Sequence, residues 1–151
     1  MSRTSPILLV EDSDEDYETT MRAFKKVRMA NQVIRCEDGD QALDYLFRRG
    51  IYKDALKSPR PSLILLDLNL PGTDGRAVLE KLKKESNLRM IPVVILTTSS
   101  DQRDIDKCYS EGANSFVQKP VSFENFVESL QRLKDFWFEI VLHPDLESED
   151  S

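Results

Sequence analysis

The chain has 151 residues, 40% of them hydrophobic and 32% charged, and a net charge of −6. That length suits one domain with a single core, typically about 100–150 residues, and the acidic balance excludes the clustered basic face that direct nucleic-acid binding requires. No apolar run approaches the ~20 residues of a membrane helix and the polar start, Met1 to Pro6, lacks a signal peptide's apolar stretch, so a cytoplasmic protein without a membrane partner is expected.

The first apolar run, Ile7-Leu8-Leu9-Val10, reads as a buried strand and ends in Glu11-Asp12. Asp14-Glu15-Asp16 then supply the acidic first turn of a helix, in which Tyr17, Met21, Phe24 and Val27 recur at helical spacing. A short strand from Gln32 to Cys36 leads through Asp38-Gly39 to a helix carrying Ala42, Leu43, Leu46 and Phe47. Arg48 to Pro61 contains Gly50, Pro59 and Pro61 and reads as a long connection with room for a turn of helix. Ser62 to Asp67 is apolar on both faces, as a central parallel strand should be. Pro71-Gly72 marks a turn, and the helix after it buries Val78, Leu79 and Leu82. Pro92 opens the fourth strand, where a proline is tolerated, and that strand runs through Val93-Val94-Ile95-Leu96 into Thr97-Thr98. A fourth helix from about Asp101 to Ser110 closes on Gly112 as a C-cap glycine. The short run Ser115-Phe116-Val117 leads to Lys119-Pro120. The last helix, from about Phe123 to Leu142, carries Phe123, Phe126, Val127, Leu130, Trp137 and Val141 as one stripe at a 3.6 period. Leu133, Phe136 and Ile140 widen it. Asp145 to Ser151 reads as an acidic tail, with disorder expected.

Strand runs alternating with helical periods predict an α/β fold, a doubly wound parallel sheet in one domain. In such a sheet, ligands bind outside the carboxyl ends of the strands. Glu11, Asp12 and Asp67 would meet there. Glu11 or Asp12 taken singly is explained by a helix dipole, but a third acid at the end of the central strand is not. Clustered carboxylates are tolerated when they hold a cation, and oxygen-only ligands suit Mg²⁺. Asp67 could then accept a phosphoryl group as an acyl phosphate, in a transfer that depends on positioning and charge neutralisation. Lys119 would supply a counter-charge and Thr97 a hydroxyl donor. Taken alone, Lys119 reads as a surface lysine and Thr97 as an ordinary strand-end threonine; their shared position at strand ends singles them out.

Other chemistries lack their residues. The five glycines form no nucleotide-binding loop. The sole histidine, His143, lies beyond the last helix and has no nucleophile to serve. Cys36 and Cys108 are too far apart for a metal knuckle and suit a reducing compartment. The Lys25-Lys26 and Lys81-Lys83-Lys84 groups read as solvated helix faces.

From about Pro6 to Leu142 the chain resembles the receiver domain of two-component response regulators, through LLVEDS, LILLDLNLPGTDG, VVILTTS and FVQKP in that order. The resemblance implies a flavodoxin-like receiver fold over residues 6–142, with strand order 2-1-3-4-5, helices on both faces and an acidic tail over 143–151. It implies that Asp67 is the phospho-acceptor for a sensor histidine kinase in a phosphorelay. Asp12, Asp67 and the main-chain carbonyl of Asn69 would bind Mg²⁺ directly, with Glu11 acting mainly through water. Thr97 and Phe116 would be the switch residues and Lys119 the phosphate-binding lysine, with a cis Lys119-Pro120 bond. Two details depart from the commonest pattern. The acidic pair is Glu-Asp, which should leave the metal site intact, and Phe116 lacks a phenol hydroxyl, so its switching would rest on packing.

A narrower likeness is carried by GIYKDALKSPRPSLILLDLNLPGTDGR and FWFEIVLHP, which look like cyanobacterial phytochrome response regulators and their bacterial relatives. It implies a phytochrome-type kinase partner, action without an output domain, and a homodimer through Phe123, Leu133, Phe136, Trp137 and Ile140. Phe136 and Ile140 are alternatively read as cover for the connection around Tyr52. Such a protein catalyses its own phosphorylation and dephosphorylation without being a turnover enzyme. Two other classes are weighed against it. A hydrolase of the haloacid-dehalogenase type needs a second acid two residues after its nucleophile, where this chain has Asn69. A non-phosphorylated pseudo-receiver adaptor would not need all five site residues.

Overall fold

The computed structural model describes residues 5–98, 101–118 and 122–135. Strands β1 (Ile7–Val10), β2 (Val33–Cys36), β3 (Leu63–Asp67), β4 (Val93–Thr97) and β5 (Ser115–Gln118) alternate with helices α1 (Asp14–Lys26), α2 (Gly39–Phe47), α3 (Gly75–Lys84), α4 (Gln102–Ser110) and α5 (Phe123–Lys134). The strands form one sheet in the order β2-β1-β3-β4-β5, and every pair is parallel. This is the doubly wound architecture expected from the alternation of strand and helix periods.

Each central strand is buried on both faces, and its residues sort by parity into two cores. Leu8, Val10, Ile64, Leu66, Val93 and Ile95 pack with Ala42, Leu46, Val78, Leu79, Leu82 and Cys108 from α2, α3 and α4. Ile7, Leu9, Leu63, Leu65, Val94 and Leu96 pack with Ala23 and Phe24 of α1 and Phe126 and Leu130 of α5. A period of two on the strands against 3.6 on the helices is therefore satisfied on both sides at once.

All five helices among the described residues begin at a side-chain cap: Ser13, Asp38, Asp74, Asp101 and Ser122 each accept a hydrogen bond from a first-turn amide. These bonds satisfy donors that a helix start leaves without an internal partner. Gly112 has φ +108°, and the Ala113 N–H returns to the Cys108 carbonyl at 2.9 Å. The left-handed turn at Gly112 thus ends α4 as its sequence anticipates.

Strands β2, β3 and β4 start one residue later than the apolar pattern indicates. Gln32, Ser62 and Pro92 each join the ladder through one group alone. Ile7 N–H donates to Gln32 O at 2.8 Å, Ser62 N–H to Pro6 O at 2.9 Å, and Ile64 N–H to Pro92 O at 3.0 Å. The long connection contains a 3₁₀ turn at Gly50–Tyr52 and is locked onto α2. Tyr45 Oη donates to Pro59 O at 2.6 Å, Arg60 Nη1 to Leu46 O at 2.6 Å, and Gln41 Nε2 to Tyr52 Oη at 2.8 Å. Tyr52 also meets Tyr45 edge to face at 5.2 Å. Tyr52 therefore packs on α2, and the fully buried Tyr45 is a core residue the helical pattern did not single out. Lys83 also departs from its expected solvated face. Its Nζ donates to Arg89 O and Ile91 O, each at 2.9 Å, and burial lowers its pKa.

Candidate functional site

The register fixes which residues meet at the carboxyl edge of the sheet. Val10 pairs with Cys36 on one side and with Leu66 on the other, so Glu11 follows directly beside Asp67. Asp67 pairs with Leu96, and Thr97 closes β4 opposite Gln118. One carboxylate oxygen from each of Glu11, Asp12 and Asp67 lies within 4.8 Å of the others. Glu11 is 1% exposed and Asp67 8%, whereas Asp12 is exposed.

Such a cluster concentrates negative charge where burial makes charge costly. Its donor set is all oxygen, open to solvent on the Asp12 side. These three residues fit a hard divalent cation of the Mg²⁺ or Mn²⁺ class, which keeps some of its own waters.

The loop after β3 is shaped around Asp67. Asn69 N–H donates to Asp67 Oδ1 at 3.1 Å, and Gly75 N–H closes the loop onto Leu68 O at 3.0 Å. A Cβ at Gly75 would stand 2.1 Å from the Asp67 carbonyl oxygen, so α3 can begin this close to the strand end only on a glycine. The same loop rests on the start of α2. A Cβ at Gly39 would stand 1.8 Å from Thr73 O, and Thr73 Oγ1 donates to the Asp40 carboxylate.

Thr97 is fully buried, and the Asn69 side chain reaches across to it. Asn69 Nδ2 lies 3.3 Å from both Thr97 Oγ1 and Thr98 Oγ1. Phe116 is half-buried and packs on the α2–α3–α4 core. It pairs with Ile95, two residues before Thr97 on the same side of β4. Lys119 and Pro120 lie outside the described residues, as do Phe136, Trp137 and Ile140. Phe123 and Leu133 pack on the α1–α5 core while remaining partly exposed, and the Arg22 guanidinium lies 5.3 Å from the Phe123 ring centroid.

The two cysteines take no part in the site's chemistry. Both are buried free thiols. Burial, reinforced by the charge of Asp38, pushes Cys36 up to about 12, and burial raises Cys108 as well, so neither is a thiolate nucleophile near neutrality.

Sequence patterns pointed to the carboxylates and Thr97, and the family resemblance pointed to Phe116. They did not single out Arg35, whose Nε donates to Glu11 O at 3.0 Å, or the Asn69 side chain. A lone arginine inside a short strand beside a carboxylate pair was the available signal for Arg35.

Comparison with known proteins places these features in context. The model of the response regulator receiver domain matches residues 7–131. A probable methanogenesis regulatory protein, FilR2 of Methanothrix harundinacea, is 40% identical over 131 residues, covering 87% of this chain and 82% of the relative. Response regulator Rcp1 of Synechocystis is 39% identical over 138 residues, covering 91% and 92%. Its Mn²⁺-bound crystal structure superposes with a TM-score of 0.82, covering 93% of this chain and 99% of that one. The phosphorylated cyanobacterial phytochrome response regulator RcpA is 34% identical, with a TM-score of 0.84 and coverage of 94% and 99%.

Proposed function

The chain belongs to the response regulator receiver family, and on that premise we propose that Asp67 accepts a phosphoryl group from the phosphohistidine of a sensor kinase. The observation that carries this reading is the meeting of Glu11, Asp12 and Asp67 within 4.8 Å at the carboxyl edge of the sheet. A carboxylate oxygen of Asp67 attacks phosphorus, an O–P bond forms, and the P–N bond to the imidazole breaks with its electron pair returning to nitrogen. Asp12, Asp67 and the Asn69 carbonyl, with Glu11 through water, would hold a Mg²⁺ ion that neutralises the phosphoryl oxygens. The Asn69 amide orients Asp67 through Oδ1. Thr97 would exchange its contact with the Asn69 side chain for a phosphoryl oxygen, and Phe116, on the same side of β4, would repack in response. Lys119 is assigned the counter-charge from its FVQKP motif.

The likeness to Rcp1 and RcpA favours a phytochrome-type kinase as the partner, and two unpaired buried thiols favour the reducing cytoplasm. We assign residues 6–142 to the receiver unit and 143–151 to an acidic tail. The protein acts as a self-phosphorylating signal carrier and not as a turnover enzyme. A homodimer through α5 and its neighbouring surface is part of this reading. It is supported by the partly exposed Phe123 and Leu133 and by an open groove of about 650 Å³ between β4, β5 and α5, with β5 at the sheet edge.

Incubation with a phytochrome-type kinase and Mg²⁺ should label the wild type and leave Asp67→Asn unlabelled. Equal labelling of the variant would overturn the assignment. Sizing the same samples should give twice the monomer mass, and a monomer at micromolar concentration, phosphorylated or not, would remove the dimer.

A further inference from the structure

Glu11 is held at both ends of its backbone. Its N–H donates to Cys36 O at 2.9 Å, and its carbonyl accepts Arg35 Nε at 3.0 Å. The guanidinium does more than close that bond. Its Nη1 lies 2.8 Å from Asp14 Oδ1, in the first turn of α1. Its Cζ stands 4.5 Å from the centroid of the Tyr17 ring, one helical turn on. One planar group therefore touches the start of the β1–α1 loop, the first residue of α1 and a side chain of that helix. The Arg35 side chain is only 18% exposed, while that of Asp14 is 84% exposed. The bond to Glu11 O and the stack on Tyr17 are the sheltered contacts, and the ion pair with Asp14 is the solvated one.

Asp12 lies inside the segment this clamp defines. Immediately after it, Ser13 N–H reaches back to Glu11 Oε2 at 3.3 Å, and Ser13 Oγ caps α1 by accepting from Asp16 N–H at 3.1 Å. The exposed Asp12 carboxylate is thus placed by its neighbours' backbone and not by packing of its own.

We infer that Arg35 is a positioning residue for the metal site, fixing the β1–α1 loop so that Asp12 meets Asp67 at ligand distance. The inference rests on the metal reading above. Partners that orient metal ligands commonly change affinity by about 10–100-fold when removed. Two effects of Arg35 oppose each other. Its positive charge disfavours a nearby cation, while its geometry favours one. The carboxylates of Asp14 at 2.8 Å and Glu37 at 3.8 Å offset that charge, so geometry is the larger effect. Lysine keeps the charge but is a single point donor without a planar fork, and it cannot hold Glu11 O and Asp14 together while stacking on Tyr17.

Calorimetric Mg²⁺ titration of the folded, unphosphorylated protein, with amide hydrogen exchange on the metal-free form, tests this. Arg35→Ala should weaken Mg²⁺ binding about tenfold or more, and Arg35→Lys should recover only part of the loss. In the metal-free variants the Ser13 and Asp14 amides should exchange faster, with α3 unchanged. Asp14→Asn, at an exposed position, keeps the test open if Arg35→Ala does not fold; it should give a smaller loss in the same direction. Wild-type or tighter Mg²⁺ affinity in folded Arg35 variants would overturn the inference, as would unchanged exchange at Ser13 and Asp14. If wild-type protein takes up no Mg²⁺ and Asp12→Asn changes nothing, the metal reading itself falls, and the positioning role with it.

Discussion

At position 75 an added methyl group would meet the Asp67 carbonyl oxygen at 2.1 Å and Leu68 Cα at 2.7 Å, so the residue with no side chain is as much a part of the site as the carboxylate it adjoins. Cys36 poses a different residue-scale problem, because it lies within the same edge of the sheet yet is kept neutral. An ordinary thiol titrates near 9 and this one at about 12, through burial first and the charge of Asp38 second. Above pH 9 the unfolded chain's thiol releases its proton and the folded one does not. The unfolded state then binds fewer protons, and stability falls by up to about 1.4 kcal/mol per pH unit until the folded thiol also ionises. Denaturant midpoints between pH 9 and pH 11 should therefore fall more steeply in the wild type than in Cys36→Ala. Parallel slopes would show that the buried thiol contributes nothing to the alkaline loss.

Among the described residues, α4 has the fewest buried positions of the five helices. Cys108 is its buried residue, whereas α3 buries Gly75, Val78, Leu79 and Leu82. What ties α4 to its neighbour is Arg76 of α3. Arg76 Nη2 lies 2.6 Å from Asp104 Oδ2 and Nε 2.8 Å from Asp104 Oδ1, and Nη1 reaches Asp74 Oδ2 at 3.1 Å. The bidentate bond to Asp104, with further support from Asp74, raises the pKa of the guanidinium. Arg76 is 32% exposed and Asp104 24%, so the net contribution to global stability is small, about 1 kcal/mol or less. The effect on α4 itself is larger in proportion, because so little else holds the helix. Arg76→Ala should speed amide exchange in α4 while leaving α2 and α3 near wild type. Uniform acceleration across the three helices would mean that the ion pair serves the whole fold and not α4.

For the molecule as a whole, a metal held by the carboxylate cluster would link folding to metal binding. Charges from Glu11, Asp12 and Asp67 within 4.8 Å repel in the metal-free protein, and a divalent cation that binds only the folded state stabilises it by mass action. Mg²⁺ at about a hundred times its dissociation constant should raise stability by about 2.7 kcal/mol, seen as a rise in Tm. Asp12→Asn should melt higher than the wild type without metal and lose that rise. A metal response unaltered in Asp12→Asn would move the binding site elsewhere.

The parallel sheet, the two-sided core, the strand-end carboxylates and Thr97 were legible in the sequence, because each is a local pattern: a run of apolar residues, a helical period, or a polar residue where burial makes it costly. Tyr45 and Lys83 were less legible, since their partners lie in the connection to β3 and the turn before β4. Arg35 left only a faint signal, for a stronger reason. Its partners Glu11, Asp14 and Tyr17 come from a segment 18–24 positions earlier, brought beside it by the pairing of β1 with β2. The Asn69 bond to Thr97 and the grip of Arg76 on Asp104 each span 28 residues and depend on how α3, β4 and α4 pack. Sequence alone pointed to the groups proposed to carry the chemistry, because composition, period and short motifs are local. The tertiary structure decided what holds those groups in place, because a hydrogen bond depends on distance in space and not on separation along the chain.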